Sequence, residues 1–197
     1  MIHRTAIGAL AVLVVVALVW MLAAIAPRLP VRSSPAAASQ PAAATPAGPE
    51  RKIKATLYYV SEDGLSLPGV QREVAFADSI AEQARRIIEA QLTDPPAPYA
   101  SPVPAGTPLR SLFIGQRGEA FVDLGGDVRT KHPGGALGEL FTVYAIVNSL
   151  TVNLPAITRV QILIDGKEVD TLAGHVDLRH PLQKNLKWTE LQTETDK

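Results

Sequence analysis

The chain has 197 residues and a formal net charge of zero, with 47% apolar residues and no cysteine. The absence of cysteine excludes disulfides, thiolate metal centres, a cysteine nucleophile and a lipidated-cysteine anchor. All three basic residues before Pro49 (Arg4, Arg28 and Arg32) stand in a stretch without acids, which leaves 16 basic and 19 acidic residues in the rest, a balance that argues against a nucleic-acid-binding face.

A short tail, residues 1–4, precedes 22 uncharged residues from Thr5 to Ala26. As a helix this run would be about 33 Å long, enough for a hydrocarbon core of about 30 Å. It exceeds the apolar region of an ordinary signal peptide, and its one small-x-small site, Ala24-Ile25-Ala26, is followed by Pro27. A retained single-pass anchor is therefore expected. Arg4 on one side and Arg28 and Arg32 on the other leave its orientation undecided. Residues 27–50 are built from Ala, Pro and Ser, with prolines at 27, 30, 35, 41, 46 and 49. This composition has too little apolar surface to fold and reads as a disordered linker, whether a stalk of set reach or a plain tether.

The folded domain is expected over 51–182. Ile53, Ala55, Leu57 and Tyr59 alternate with Lys54, Thr56 and Tyr58 as in a half-buried strand over Ile53–Val60, and a second short strand follows over Gln71–Phe76. Ser79–Leu92 places Ile80, Ala84, Ile87, Ile88 and Leu92 on one helical stripe, with a capping box from Ser79 and Glu82. A Pro-rich loop then leads to a hairpin, Leu109–Ile114 and Glu119–Leu124, joined by Gly115-Gln116-Arg117-Gly118.

The glycine-rich segment Gly125–Gly135 opens a helix from Glu139 whose apolar residues are too continuous for a one-sided surface element, so it is expected at the centre of the core. Beyond Pro155 the period changes. Val160, Ile162 and Ile164 alternate with polar neighbours, and Asp165-Gly166 signals a type I′ hairpin whose register would set Ile162 opposite Val169 and Val160 opposite Thr171. The element order predicts an α+β domain with two helices packed on one face of a mainly antiparallel sheet. Residues 183–197 read as a polar, mobile tail.

Chemistry is thinly represented. His175, Asp177 and His180 are metal-ligand types after a tight hairpin, but their spacing fits no standard site, and the alternative is that they tie the last segment to the sheet by hydrogen bonds. His132-Pro133-Gly134-Gly135 precedes a helix, a place for anions, yet lacks the Gly-Lys-Ser/Thr of a phosphate loop. Asp123 with Asp127, or Glu139 with Asp127, are conceivable paired carboxylates, and Ser101, Ser111 and Ser149 lack a nucleophile-elbow context. No catalytic, cofactor or metal residue is assigned.

The opening strand LYYVSEDG, the helix end IIEAQLTDP, the entry VPAGTPLRSLFI with GEAFVDLGGD, and above all VNSLTVNLPAITRVQILIDGKEV resemble the GerMN domain of GerM-type sporulation and spore-germination proteins, over about Ile53 to Leu182. The resemblance implies a fold similar to ring-building motifs, no enzymatic activity and no cofactor, and a role in protein assembly at the bacterial cell envelope. It also implies an inner-membrane protein whose carboxyl-terminal domain lies outside the cytoplasm, with an unknown envelope protein or a second copy as partner. A docking edge is expected at Gln71–Phe76 or Val169–Leu172. The competing reading is a periplasmic cell-wall enzyme or ligand-binding domain with His175, Asp177 and His180 in its site. Members of this group are typically lipoproteins with paired domains, whereas this chain has one copy and no cysteine.

Overall fold

The computed structural model describes residues 51–189. The expected span at 5–26, the linker at 27–50 and the tail beyond Thr189 lie outside these residues. Among the described residues no helix is long and apolar enough to cross a membrane.

The first ribbon pairs β1 (Lys52–Tyr58) with antiparallel β2 (Gly69–Ala75), with Leu57 opposite Val70. Helix α1 (Ile80–Gln91) follows. Ser79 accepts the amide of Glu82 at 3.2 Å, as its capping role requires, but the Glu82 carboxylate turns to Arg86 at 3.4 Å instead of reaching back. The buried stripe also differs from expectation at its ends. Ile80 is 47% exposed, while Gln83 and Gln91 are buried beside Ala84, Ile87 and Ile88.

The second sheet holds β3 (Leu109–Ile114), β4 (Glu119–Leu124), β5 (Arg159–Ile164) and β6 (Lys167–Glu168) in that order, with β7 (Leu182–Gln183) also on β5. Between β4 and β5 run the single turn α2 (Asp127–Thr130) and the helix α3 (Ala136–Asn153). The pairings are mainly antiparallel, as expected, but the expectation of a single sheet is corrected and one pairing departs from the rule. The strands form two separately bonded sheets, and β4 pairs with β5 in parallel, Val122 beside Ile162. The reason is the length of α3: 18 residues, about 27 Å, carry the chain back to the starting end of β4, so β5 must run the same way.

Asp165 (φ 52) and Gly166 (φ 76) both adopt the left-handed backbone of a type I′ turn, and Ile164 pairs with Lys167 as that turn dictates. The ladder stops at Leu163 opposite Glu168, however, and Val160 is partnered by Leu182 of β7, not by Thr171. The chain is drawn off β5 after Glu168 because the amides of Leu172 and Ala173 are bound to α3.

Both sheets close on the two helices. Ala55 and Leu57 of β1 and Tyr59 just beyond it share one cluster with Ile87 and Ile88 of α1, Ile146 and Leu150 of α3, and Val122, Val160 and Ile162 of the second sheet. The central helix is buried on most of its circumference, as its sequence implies. Its other side sets Phe141 and Ala145 against Tyr58 and Leu67 in a smaller cluster, so the strand residue Tyr58, expected outside, is only 4% exposed.

Candidate functional site

The densest polar arrangement surrounds Glu139 in the first turn of α3. Its side chain is fully buried. One carboxylate oxygen accepts the amides of Leu172 and Ala173, each at 2.8 Å, and the other accepts the amide of His175 at 2.7 Å and faces its ring Nδ1 at 3.1 Å. Burial alone would push the Glu139 pKa up. The amides of Ala173, His175, Val176 and Leu172 outweigh it and hold the carboxyl below its ordinary range. A carboxylate saturated in this way has no lone pair left for a substrate proton, and it serves instead as an anchor for the 171–176 loop.

Most of the other sequence-derived candidates are drawn into similar internal contacts, while His180 is exposed and Ser111 half-buried, and neither side chain takes a hydrogen-bond partner among the described residues. His175 joins Glu139 on the helix, so it ties the last segment to α3 and not to the sheet. Asp177 is held by Arg179, Nε at 2.9 Å and the terminal nitrogen at 2.7 Å, and this pairing keeps its carboxyl far below the usual range. Among the described residues no three His, Asp or Glu side chains converge as a metal would need. Asp127 pairs with Lys131 at 3.3 Å, and Asp123 with Arg110 at 3.2 Å and the amide of Gly166 at 2.7 Å. Arg110 also reaches Asp165 at 3.4 Å, so one guanidinium serves both carboxylates.

His132 accepts the Gly134 amide on Nδ1 at 2.9 Å, which leaves the proton on Nε2, 3.0 Å from the Thr142 hydroxyl. Thr142 in turn donates to the carbonyl of Pro102, pinning the Pro-rich loop to α3. Ser149 is buried and donates to Gln91 at 2.8 Å, and Ser101 donates to the Val103 carbonyl, so neither faces a base. A cleft of about 560 Å³ lies between the end of α3 and β7, and Lys184 is the one ionisable residue in its lining.

Sequence reasoning passed over the carboxamides of Gln91, which is buried, and of Asn153, which is half-buried. Asn153 donates to the carbonyl of Thr56 at 2.7 Å and accepts its amide at 2.8 Å, and Gln91 does the same to Tyr58 at 2.8 and 2.9 Å. Val60 exchanges both bonds with Ala100. These three pairings close the far half of the edge that faces away from β2, from Thr56 to Val60, and leave Lys52 and Lys54 open. Their one sequence signal was a carboxamide at i, i+8 on the apolar stripe of α1, Gln83 and Gln91.

A profile of the Germane family, described as sporulation and spore germination, matches residues 56–170, more than half of the chain. The chain belongs to this family. No curated protein matches it. Among solved structures, the Germane chain is similar to the first GerMN domain of the sporulation protein GerM from Bacillus subtilis, at 18% identity and a TM-score of 0.51, covering 68% of this chain and 96% of that one. It is similar also to the tandem GerMN domains of GerM, at 17% identity and a TM-score of 0.51, covering 69% of this chain and 46% of that one. A protein of Clostridium perfringens described as a lipoprotein matches at 24% identity with a TM-score of 0.49, over 70% of this chain and 92% of that chain. The likeness to GerM establishes the GerMN fold, a mixed α+β architecture.

Proposed function

We propose that this Germane-family chain is a non-enzymatic protein-interaction module of the bacterial cell envelope, anchored in the inner membrane by residues 5–26 with its domain on the extracytoplasmic side, and that it docks through the edge of β2. The observation that carries the reading is an asymmetry in the first ribbon. Tyr59 donates to Pro68 and Phe76 donates to Arg51 at its two ends, so the odd-numbered residues of β1 bond β2 and the odd-numbered residues of β2 point outward. The outward groups of Thr56, Tyr58 and Val60 are closed by Asn153, Gln91 and Ala100, whereas the N–H and C=O groups of Gln71 and Glu73 in the middle of β2, like those of Lys52 and Lys54 at the start of β1, take no partner among the described residues. An open edge of this kind accepts an added strand through its main chain.

The expected alternative edge, Val169–Leu172, is not available: Leu172 is bound to Glu139, and the Asp170 carbonyl accepts the amide of Leu178. Arg72 and Glu73 put charge on β2, which limits indiscriminate pairing. A tether in the membrane raises the local concentration, so a small interface can be occupied there while the detached domain stays monomeric.

Cysteines placed one at a time at Gln71, Glu73 and, as a control, Arg117 test this in intact membranes. The reading expects a defined crosslinked complex from the first two and none from the third. Equal crosslinking from all three, or none from any, would refute the edge. A cysteine in the linker, labelled by a membrane-impermeant reagent on outer-membrane-permeabilised cells, tests the orientation separately, and protection from the reagent would place the domain on the wrong side.

A further inference from the structure

The segment after β7 lies as a strap over the outer side of α3, held as far as Thr189 in a stretch expected from its composition to be mobile. Its contacts are few and specific. Asn148, fully buried, donates to the carbonyl of Asn185 at 2.8 Å and accepts the Asn185 amide at 3.0 Å. The amide of Leu67 donates to the carbonyl of Trp188 at 2.6 Å, and the Trp188 ring meets Phe141 edge-on at 6.5 Å between centroids. The strap shapes itself. Asn185 accepts the Lys187 amide on its side chain at 3.1 Å, and the Leu186 carbonyl accepts the amide of Thr189. The protein therefore reads two backbone positions three residues apart, one aromatic ring, and an asparagine turn that brings them into register.

We infer that this groove is a peptide-recognition site for a partner protein carrying an asparagine turn followed at the third position by an aromatic residue, and that residues 185–188 fill it as a built-in competitor. Two observations favour a partner over a permanent strap. Leu186 and Trp188 remain 42% and 36% exposed, so the strap buries its apolar side chains incompletely. A cavity of about 180 Å³ adjoins the groove, bounded by Phe141, Leu137, Val60 and Pro102, and the residues of the strap do not line it. A partner segment with a further apolar residue would reach both the ring position and this cavity. No strap residue beyond Leu182 belongs to the main core, so exchange of the strap leaves the fold intact. The site is separate from the β2 edge, and its fate does not depend on that reading.

The probe is a fluorescein-labelled synthetic peptide of residues 183–189, titrated by anisotropy into the full chain in detergent and into the same chain ended after Gln183. The shortened chain should bind it saturably. The intact chain, whose strap competes at high effective concentration, should bind at least about tenfold more weakly. Replacing the tryptophan of the peptide by alanine, or Asn148→Leu in the shortened chain, should abolish binding. If the shortened chain does not unfold cooperatively, the intact chain with Trp188→Ala takes its place and should bind more tightly than its parent. No saturation up to millimolar peptide, equal affinity for parent and strap-impaired chains, or indifference to Asn148→Leu each overturns the assignment. A dimer of the intact chain that Asn148→Leu does not form would give the groove to a second copy and overturn it as well.

Discussion

Gln91 near the end of α1 grips Tyr58 of β1 by both of its main-chain groups, donating to the carbonyl at 2.8 Å and accepting the amide at 2.9 Å, and so takes the place of a neighbouring strand. Asn153 does this one repeat earlier, at Thr56. Gln83 bonds the Ala75 carbonyl and the Ala77 amide at the other end of α1, and Asn148 holds Asn185. A carboxamide carries one acceptor and a donor pair in one plane, which matches a strand edge at a single residue. By this device a two-stranded ribbon, unstable alone, is bonded to the helices at Thr56 and Tyr58 of β1 and at Ala75 of β2, and is left open at Gln71 and Glu73.

Gln91→Leu should therefore destabilise the domain out of proportion to its size. It strands the Tyr58 amide and carbonyl and removes the acceptor of the Ser149 hydroxyl, all buried. The expected cost is about 1–3 kcal/mol for each group left unsatisfied, read as a lower midpoint in urea unfolding. An unchanged midpoint would show that water replaces the carboxamide.

Removal of residues 1–49 should leave a soluble domain with a single cooperative transition, because the compact unit containing every described element begins at Gly48. Loss of cooperativity on truncation would show that the domain depends on what precedes it.

Within that domain Ile162→Ala should cost roughly 2–5 kcal/mol, since Ile162 is 3% exposed at the centre of the main cluster. Lys54→Ala on the exposed face of β1 should shift stability by under about 0.5 kcal/mol. Equal losses at the two positions would contradict the facing of the strands.

Glu139 links stability to acidity. Its folded pKa lies below the ordinary value, so the stabilisation is complete above the unfolded carboxylate range, near about 4.3, and is lost as the pH falls through the lower folded value. Glu139→Gln should lower stability at neutral pH and flatten the decline between pH ~5 and the acid limit. The 171–176 amides should exchange faster with solvent in that variant, and unchanged exchange there would show that the loop is held by other contacts.

Local periodicity was enough to read β1 to β5, both long helices and the Asp165-Gly166 turn, because each rests on neighbours in the chain: alternation on β5, the Ser79 cap, positive φ at Asp165 and Gly166. The parallel pairing of β4 with β5, the split into two sheets and the departure of the chain from β5 after Glu168 were decided only by the tertiary structure. Each depends on partners far apart in sequence, such as Glu139 with Leu172 or Val160 with Leu182. The same holds for the polar residues. Gln91, Asn148 and Asn153 look in sequence like ordinary helix positions, and Glu139 like a possible acid. Their roles follow from burial, where a polar group left unbonded costs far more than at the surface, so each is committed to the one backbone segment that the packing brings within reach.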